Sequence, residues 1–312
     1  MILVSGSLAY DQIMDFAGVF SDHILPDKIH TLNVSFLVDK MRKTYGGTAG
    51  NIAYTLSLLG IKTGIIGCAG EDFDPYREFL EKYGVNTKYV KKINKFYTST
   101  AIGITDKTNN HIWGFYMGAD ALSDQLSIGD VEEPIDYAVV SPNNPRTMMK
   151  FAEEYRRMKI PFLFDPGMQL RWLDGDQLKT AFAGASIIIG NDYEISVMER
   201  KTGIPDLHNF SEEKIIITTL GESGSRVTQY GQSVTVRSAA VSQVLDPAGA
   251  GDAYRAGFLA GFLRKFRLEV CAQMGSVAAA YTVEKPGTST HYFTPDDFVM
   301  RYEVNYEDEL EL

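Results

Sequence analysis

Short runs of β-branched residues without polar alternation constrain this chain more than any other feature. Ser186–Ile189 reads Ser-Ile-Ile-Ile, and Ile215–Thr219 reads Ile-Ile-Ile-Thr-Thr. A strand with one wet face alternates apolar and polar residues. A strand buried on both faces does not, and such strands belong to parallel sheets covered by helices. Similar short runs occur at Ile2–Val4, Thr63–Gly67, Tyr137–Val140 and Phe162–Phe164. Helical patterns lie between them. Ala49, Ile52, Ala53 and Leu56 share one helical face, and Gly60 then supplies a stop signal. Ala256, Leu259, Ala260 and Leu263 repeat the spacing near the other end. This alternation predicts an α/β sandwich around a mostly parallel central sheet.

Two stretches break the rhythm. One runs from about residue 11 to 40 and holds a loop at His23–His30 and a strand-like Asn33–Val38. The other pairs Thr98–Thr105 with His111–Met117 around an Asp-, Asn- and Thr-rich turn at Asp106–Asn110, the pattern of a β-hairpin. Neither has a helix beside it. They are read as one small inserted sheet, a lid formed by residues 11–40 and 98–117, with an edge extension of the main sheet as the alternative. No composition shift or linker marks a boundary, so residues 1–312 read as a single domain. The acidic tail from Arg301 is expected to fray or to form a short helix.

The chain has 312 residues, 45% of them hydrophobic, which is ample for a buried core. Its net charge of -10 repels nucleic acid and anionic membrane surfaces, so neither is an expected partner. The two cysteines, Cys68 and Cys271, sit in apolar surroundings without metal-type spacing and read as small buried hydrophobes. The N-terminus lacks the basic and long apolar regions of a signal peptide, and no run is long enough to span a membrane. A soluble cytoplasmic protein is expected.

Four motifs carry chemistry. The strongest is Asp246-Pro247-Ala248-Gly249-Ala250-Gly251-Asp252, directly followed by a helical pattern. Small residues at a helix start let backbone N–H groups converge on an anion, with the helix dipole behind them. An Asp at the end of such a nest can accept the proton of an attacking hydroxyl. Without context the same residues make a tight turn with a capping Asp. The second motif is Gly46-Gly47-Thr48-Ala49-Gly50-Asn51. Together with Asp11, beyond the first strand, it offers a carboxylate, an amide and a glycine N–H that suit a vicinal diol. The third, Asn191-Asp192-Tyr193-Glu194, follows a strand on the ligand edge of the sheet. Asn191 and Glu194 could hold magnesium through water, or could simply cap a helix. The fourth is Thr218-Thr219-Leu220-Gly221-Glu222-Ser223-Gly224, a phosphate-lining turn or a plain hairpin turn into Ser225–Tyr230.

Taken together and in this order, the motifs resemble the PfkB/ribokinase family over essentially the whole chain. No G-x-x-x-x-G-K-[ST] stretch is present, which sets the chain apart from P-loop kinases. Within the family the chain looks most like bacterial adenosine kinases, notably at His23-Ile24-Leu25-Pro26, Asn33–Val38, Tyr45–Ala53, Gly190–Glu194, Thr218–Gly221 and Asp252–Leu259.

The resemblance implies a ribokinase-like three-layer α/β/α sandwich with a small β-sheet lid. It implies Asp252 as general base, with Gly249, Ala250 and Gly251 as the anion hole. Asp11, Gly47 and Asn51 would bind ribose hydroxyls, and Ser7, Ser35, Phe115 and Gln169 would line the nucleoside pocket. Asn191, Glu194, Thr219, Gly221 and Gly224 would serve the side of ATP and Mg2+, and the family leaves room for a monovalent cation. Pro247 and Ala248 depart from the pattern, removing a hydroxyl expected there. Ala101 stands where an aromatic stacking on the base is expected. A purine would lose about 1–3 kcal/mol of stacking with that ring.

The expected reaction is transfer of the ATP γ-phosphoryl group to a nucleoside 5′-hydroxyl, adenosine first. A free-sugar kinase, for ribose or fructose, shares the hydroxyl-binding motifs. A catalytically silent nucleoside sensor is the reading from a different class. Phe36 and Phe115 would make an aromatic pocket wall, or alternatively the core of the lid. An apolar lid face could also pair two chains into a homodimer.

Overall fold

The computed structural model describes residues 1–108, 110–210 and 213–312. Asn109, in the turn expected at Asp106–Asn110, lies outside the described residues. The chain opens with strand β1 (Ile2–Ser5), then β2 (Ala9–Phe16), β3 (Val38–Gly46), helix α1 (Thr48–Leu58) and β4 (Thr63–Gly70). Next come α2 (Asp74–Lys82), β5 (Asn86–Ile93), β6 (Ser99–Thr105), β7 (His111–Tyr116), β8 (Tyr137–Val140), α3 (Pro145–Met158) and β9 (Phe162–Phe164). The second half holds α4 (Gly175–Gly184), β10 (Ile187–Asn191), α5 (Asp192–Thr202), β11 (Ile215–Thr219), β12 (Ser225–Gln229) and β13 (Gln232–Val236). It ends with α6 (Ala250–Leu263), α7 (Leu268–Val283) and α8 (Pro295–Tyr306).

Nine strands form the large sheet in the order β13-β12-β11-β10-β9-β8-β1-β4-β5. All pairs from β11 to β5 are parallel, and β12 and β13 close one end as an antiparallel hairpin. Successive strand residues point to opposite faces, which explains the unbroken apolar runs. Ile2, Val4, Val139, Leu163, Ile187, Ile189, Ile215 and Ile217 pack with residues of α1, α2, α6, α7 and α8. Leu3, Ala138, Val140, Phe162, Phe164, Ile188 and Ile216 pack on the other side with α3, α4 and α5. The result is the expected three-layer α/β/α sandwich. Cys68 and Cys271 are buried free thiols. No described helix is long and apolar enough to cross a membrane.

The order reverses around β1. The chain moves outward through β4 and β5, then returns to β8 on the other side of β1. A crevice opens beyond the carboxyl ends of strands at such a switch point, and ligands of open α/β sheets bind there.

The second sheet is separate, with order β3-β2-β6-β7. This excludes an edge extension of the main sheet. Its composition differs from the expectation. Asn33–Val38 is open chain up to Val38, where β3 begins, and the loop at His23–His30 contains a 3-10 turn at Pro26–Thr31. The strands β2, β3 and β5 carry no clear apolar signal. β3 and β5 are edge strands, and their lysines at 40, 43, 88, 91 and 92 guard the open edges while masking the strand pattern. At the C-terminus the tail does not simply fray: α8 runs to Tyr306, and Leu310 is buried.

Candidate active site

α6 begins two residues earlier than a turn of three small residues would require. Gly249 is its N-cap at φ 76, a left-handed conformation, while Ala250 and Gly251 already belong to the first turn. A Cβ on Gly249 would lie 2.8 Å from the Thr288 side chain. Asp246 holds the preceding loop: its two carboxylate oxygens accept the amides of Ala248 and Gly287, each at 2.9 Å. The N–H groups of Gly251 and Asp252 find no acceptor among the described residues. They are the free donors expected at a helix start and remain available to an anion.

Asp252 is partly open to solvent. Asn51, from the first turn of α1, donates its amide to Asp252 Oδ2 at 2.8 Å, and Asn51 Oδ1 accepts the Ser289 hydroxyl at 2.9 Å. The second contact sets which way the amide faces. Burial raises the Asp252 carboxyl above the usual carboxylate range, Arg255 and Asn51 oppose that, and Asp11 and Glu194 add to it. Raised basicity in a fixed orientation suits a general base.

Asp11 reaches the same crevice from β2. Burial pushes its carboxyl up to about 6, and Asp246 adds to the effect. The glycine pair makes room for it. A Cβ on Gly46 would sit 2.3 Å from Asp11 Oδ2, and one on Gly47, at φ 86, 2.5 Å from the Ser7 carbonyl. Sheet register places Thr44, Asp11, Ala101 and Phe115 in one row across β3, β2, β6 and β7. Asp11 and Phe115 therefore share a face, two strands apart, or about 10 Å. Phe115 is 70% exposed and stacks on Trp113. Phe36 packs in the sheet's own aromatic cluster with Phe16, Phe20 and His23, as the lid-core alternative has it.

The other expected residues divide. The Ser7 hydroxyl accepts the Thr48 amide at 3.1 Å and caps α1. Asn191 and Glu194 form a reciprocal capping box at the start of α5, with both bonds at 2.8 Å. Burial and the nearby Asp165 raise the Glu194 carboxyl. Ser35 is exposed in the chain before β3, and Gln169 is half-buried in the 3-10 turn Gly167–Arg171. Thr219 ends β11. Gly221 and Gly224 shape the turn that follows, at φ 58 and 94, and a Cβ on Gly224 would strike the Val236 carbonyl.

Three partners went unanticipated. Arg255 and Asp165 form a buried ion pair at 2.6 Å beside Asp252, and Ser289 orients Asn51. A lone Arg in the apolar run Ala253–Leu263, one turn after Asp252, was a usable signal for the first. Asp165 at the carboxyl end of a strand was another. Nothing local marks Ser289.

The acidic and amide oxygens of Asn191 and Glu194 are the hard donors that Mg2+ takes. Among the described residues no three acidic, His or Cys side chains converge into a cage.

Comparison with known proteins gives the family. Residues 8–295 match the pfkB family of carbohydrate kinases. A nucleoside kinase of Methanothermobacter thermautotrophicus is 30% identical over 310 residues, covering 98% of this chain and 96% of that protein. A nucleoside kinase of Burkholderia thailandensis, solved with inosine, superposes with a TM-score of 0.88 at 32% identity over 99% of both chains. The same kinase solved with ADP-inosine gives 0.87 and 34%, covering 100% of this chain and 98% of that one. The chain therefore belongs to the pfkB family of carbohydrate kinases, and it is a phosphotransferase with a hydroxyl group as acceptor.

Proposed function

We propose that the enzyme transfers the γ-phosphoryl group of ATP to the 5′-hydroxyl of a nucleoside, with adenosine as first candidate. The observation that carries this reading is the row joining Asp11 to Phe115. A carboxylate suited to a ribose diol and an exposed ring on the same sheet face suit a sugar with an attached base. The nucleoside kinases similar to this chain support the same substrate class.

Asp11, Gly47 and Asn51 hold the ribose hydroxyls, while Phe115, Ser35 and Gln169 face the base, with Ser7 shaping the floor. Asp252 takes the proton of the 5′-hydroxyl as its oxygen bonds to Pγ. The bond from Pγ to the bridging oxygen breaks, and ADP leaves. The N–H groups at the start of α6, behind Gly249, Ala250 and Gly251, stabilise the charge on the transferring group. Thr219, Gly221 and Gly224 line the nucleotide. Mg2+ carried with the nucleotide would neutralise phosphate charge, and Asn191 and Glu194 would steady it through water. The small sheet closes over the acceptor as a lid, excluding water. Its opposite face carries Met41, Ile102, Ile112 and Tyr116, all substantially exposed, and pairs with the same face of a second copy. Sedimentation showing only monomer at micromolar concentration would dismiss that pairing.

A free sugar is the second reading, because Asp11, Gly47 and Asn51 serve any vicinal diol. Phosphate transfer from Mg-ATP is measured against adenosine, inosine, guanosine, cytidine, ribose and fructose. A higher kcat/KM for a nucleoside than for either sugar is expected. Preference for ribose or fructose would overturn the base-binding role of Phe115.

A further inference from the structure

Arg255 lies three residues after Asp252 on α6, so the two side chains share a helix face. It is 6% exposed. A guanidinium in that position is costly unless paired. Long helical side chains turn back toward the N-terminus, and this one does: a Cβ on Gly251 would lie 2.7 Å from Arg255 Nη1. The charge thus stands directly beneath the amides that would hold the transferring phosphoryl group.

Asp165, 2% exposed beyond the end of β9, anchors it through Nε at 2.6 Å. The second oxygen of Asp165 is enclosed without a hydrogen-bond partner. Neither Nη1 nor Nη2 is an enclosed orphan, whereas Nε has only its ion-pair contact. The carboxylates around Arg255 outnumber it. Asp165, Glu194 on α5 and Asp252 each interact with it. Asp11 on β2 acts on Asp252 from the small sheet, and the Tyr76 phenol on α2 faces both Asp11 and Asp252. Asp246, before α6, acts on Asp11. Without a cation this crowd would hold a proton on Asp252 and repel a phosphate.

We propose that Arg255, anchored by Asp165, is a positioning residue for phosphoryl transfer: it holds a cation beneath the α6 amides that offsets the carboxylate charge at Asp252. This rests on Asp252 acting as the base.

The test uses the acceptor the wild-type enzyme prefers, so a sugar substrate leaves it intact. Arg255→Met, Arg255→Lys, Asp165→Asn and Asp252→Asn are compared by thermal melting, acceptor KM and kcat against pH. Arg255→Met is expected to lower kcat about a hundredfold with KM within about threefold. The acidic limb of kcat is expected to move upward by about one pH unit, because the carboxylate loses its cation. Arg255→Lys keeps the charge, so the limb should return close to wild type and part of the turnover with it. Asp165→Asn frees the guanidinium and should lower kcat about tenfold. Should Arg255→Met not fold, the Lys and Asn variants carry the test through the same two readouts. Lower Tm with the acidic limb and kcat unchanged would mean a purely structural ion pair and would overturn the proposal. An inactive Asp252→Asn beside such an Arg255 result places the failure at Arg255. Substantial turnover in Asp252→Asn places it at the base, and the proposal falls with it.

Discussion

The two sheets of this enzyme obey different rules. In β10 the four residues Ile187–Gly190 are buried, and in β11 so are Ile215–Thr218. In β7 every residue from His111 to Tyr116 is exposed. The large sheet is placed by burial of both faces. The small sheet holds together through its ladder and a local aromatic cluster around Phe16, Phe20 and Phe36. It leaves Trp113 and Phe115 uncovered, an apolar surface of the kind that marks binding. The proposed chemistry therefore sits beside the buried sheet, at the start of α6, and the proposed recognition on the exposed one.

This division predicts a separation of kcat from KM. Asp252→Asn, beside the buried sheet, should lower kcat at least a hundredfold, about 2.7 kcal/mol of barrier, with acceptor KM little changed. A large KM effect with normal turnover would break the division outright. Asp11→Asn, on the small sheet, should raise acceptor KM about thirtyfold while kcat falls less, since charged hydrogen bonds are worth about 1.5–3 kcal/mol. Its pH dependence sharpens the point. The Asp11 carboxyl is pushed up to about 6, so it takes up a proton as pH falls through that value. Acceptor KM in the wild type should rise below pH 6, and Asp11→Asn should flatten that rise. A KM that stays flat in the wild type would exclude the carboxylate as the diol acceptor. Phe115→Ala should raise nucleoside KM about tenfold, leave ribose unaffected, and leave Tm within a degree or so, because the ring is already exposed. Loss of several degrees instead would make Phe115 a packing residue.

Expectation and structure agree wherever the signal is local. The strands Tyr137–Val140, Phe162–Phe164 and Ile215–Thr219 appear with the boundaries their apolar runs suggest. The stop at Gly60 is real, with φ at 73 just past the end of α1. The small sheet divides: Thr98–Thr105 and His111–Met117 appear as β6 and β7 almost as expected, while β2 and β3 do not match Asn33–Val38. β2 and β3 mix Asp11, Asp15, Lys40, Arg42 and Lys43 with apolar residues, since neither face is wholly buried. β7 is exposed throughout yet legible, because the Asp-, Asn- and Thr-rich turn before it marks a hairpin, whereas β2 and β3 have no such short turn between them. In the same way Phe36 and Phe115 are one residue type in similar settings along the chain, yet one is packed into an aromatic cluster and the other left open.

Periodicity and turn chemistry alone thus determine the α/β class, the parallel sheet and the helix that begins at the Asp252 motif, because each depends on neighbours a few residues apart. The assembled site depends on partners far apart in the chain. Asn51 meets Asp252 across 201 positions and Ser289 across 238. Asp165, just beyond β9, reaches Arg255 on α6. The basicity of Asp252 follows from how many carboxylates and how much protein surround it. No local pattern encodes that count, because burial and long-range charge exist only once the layers have packed.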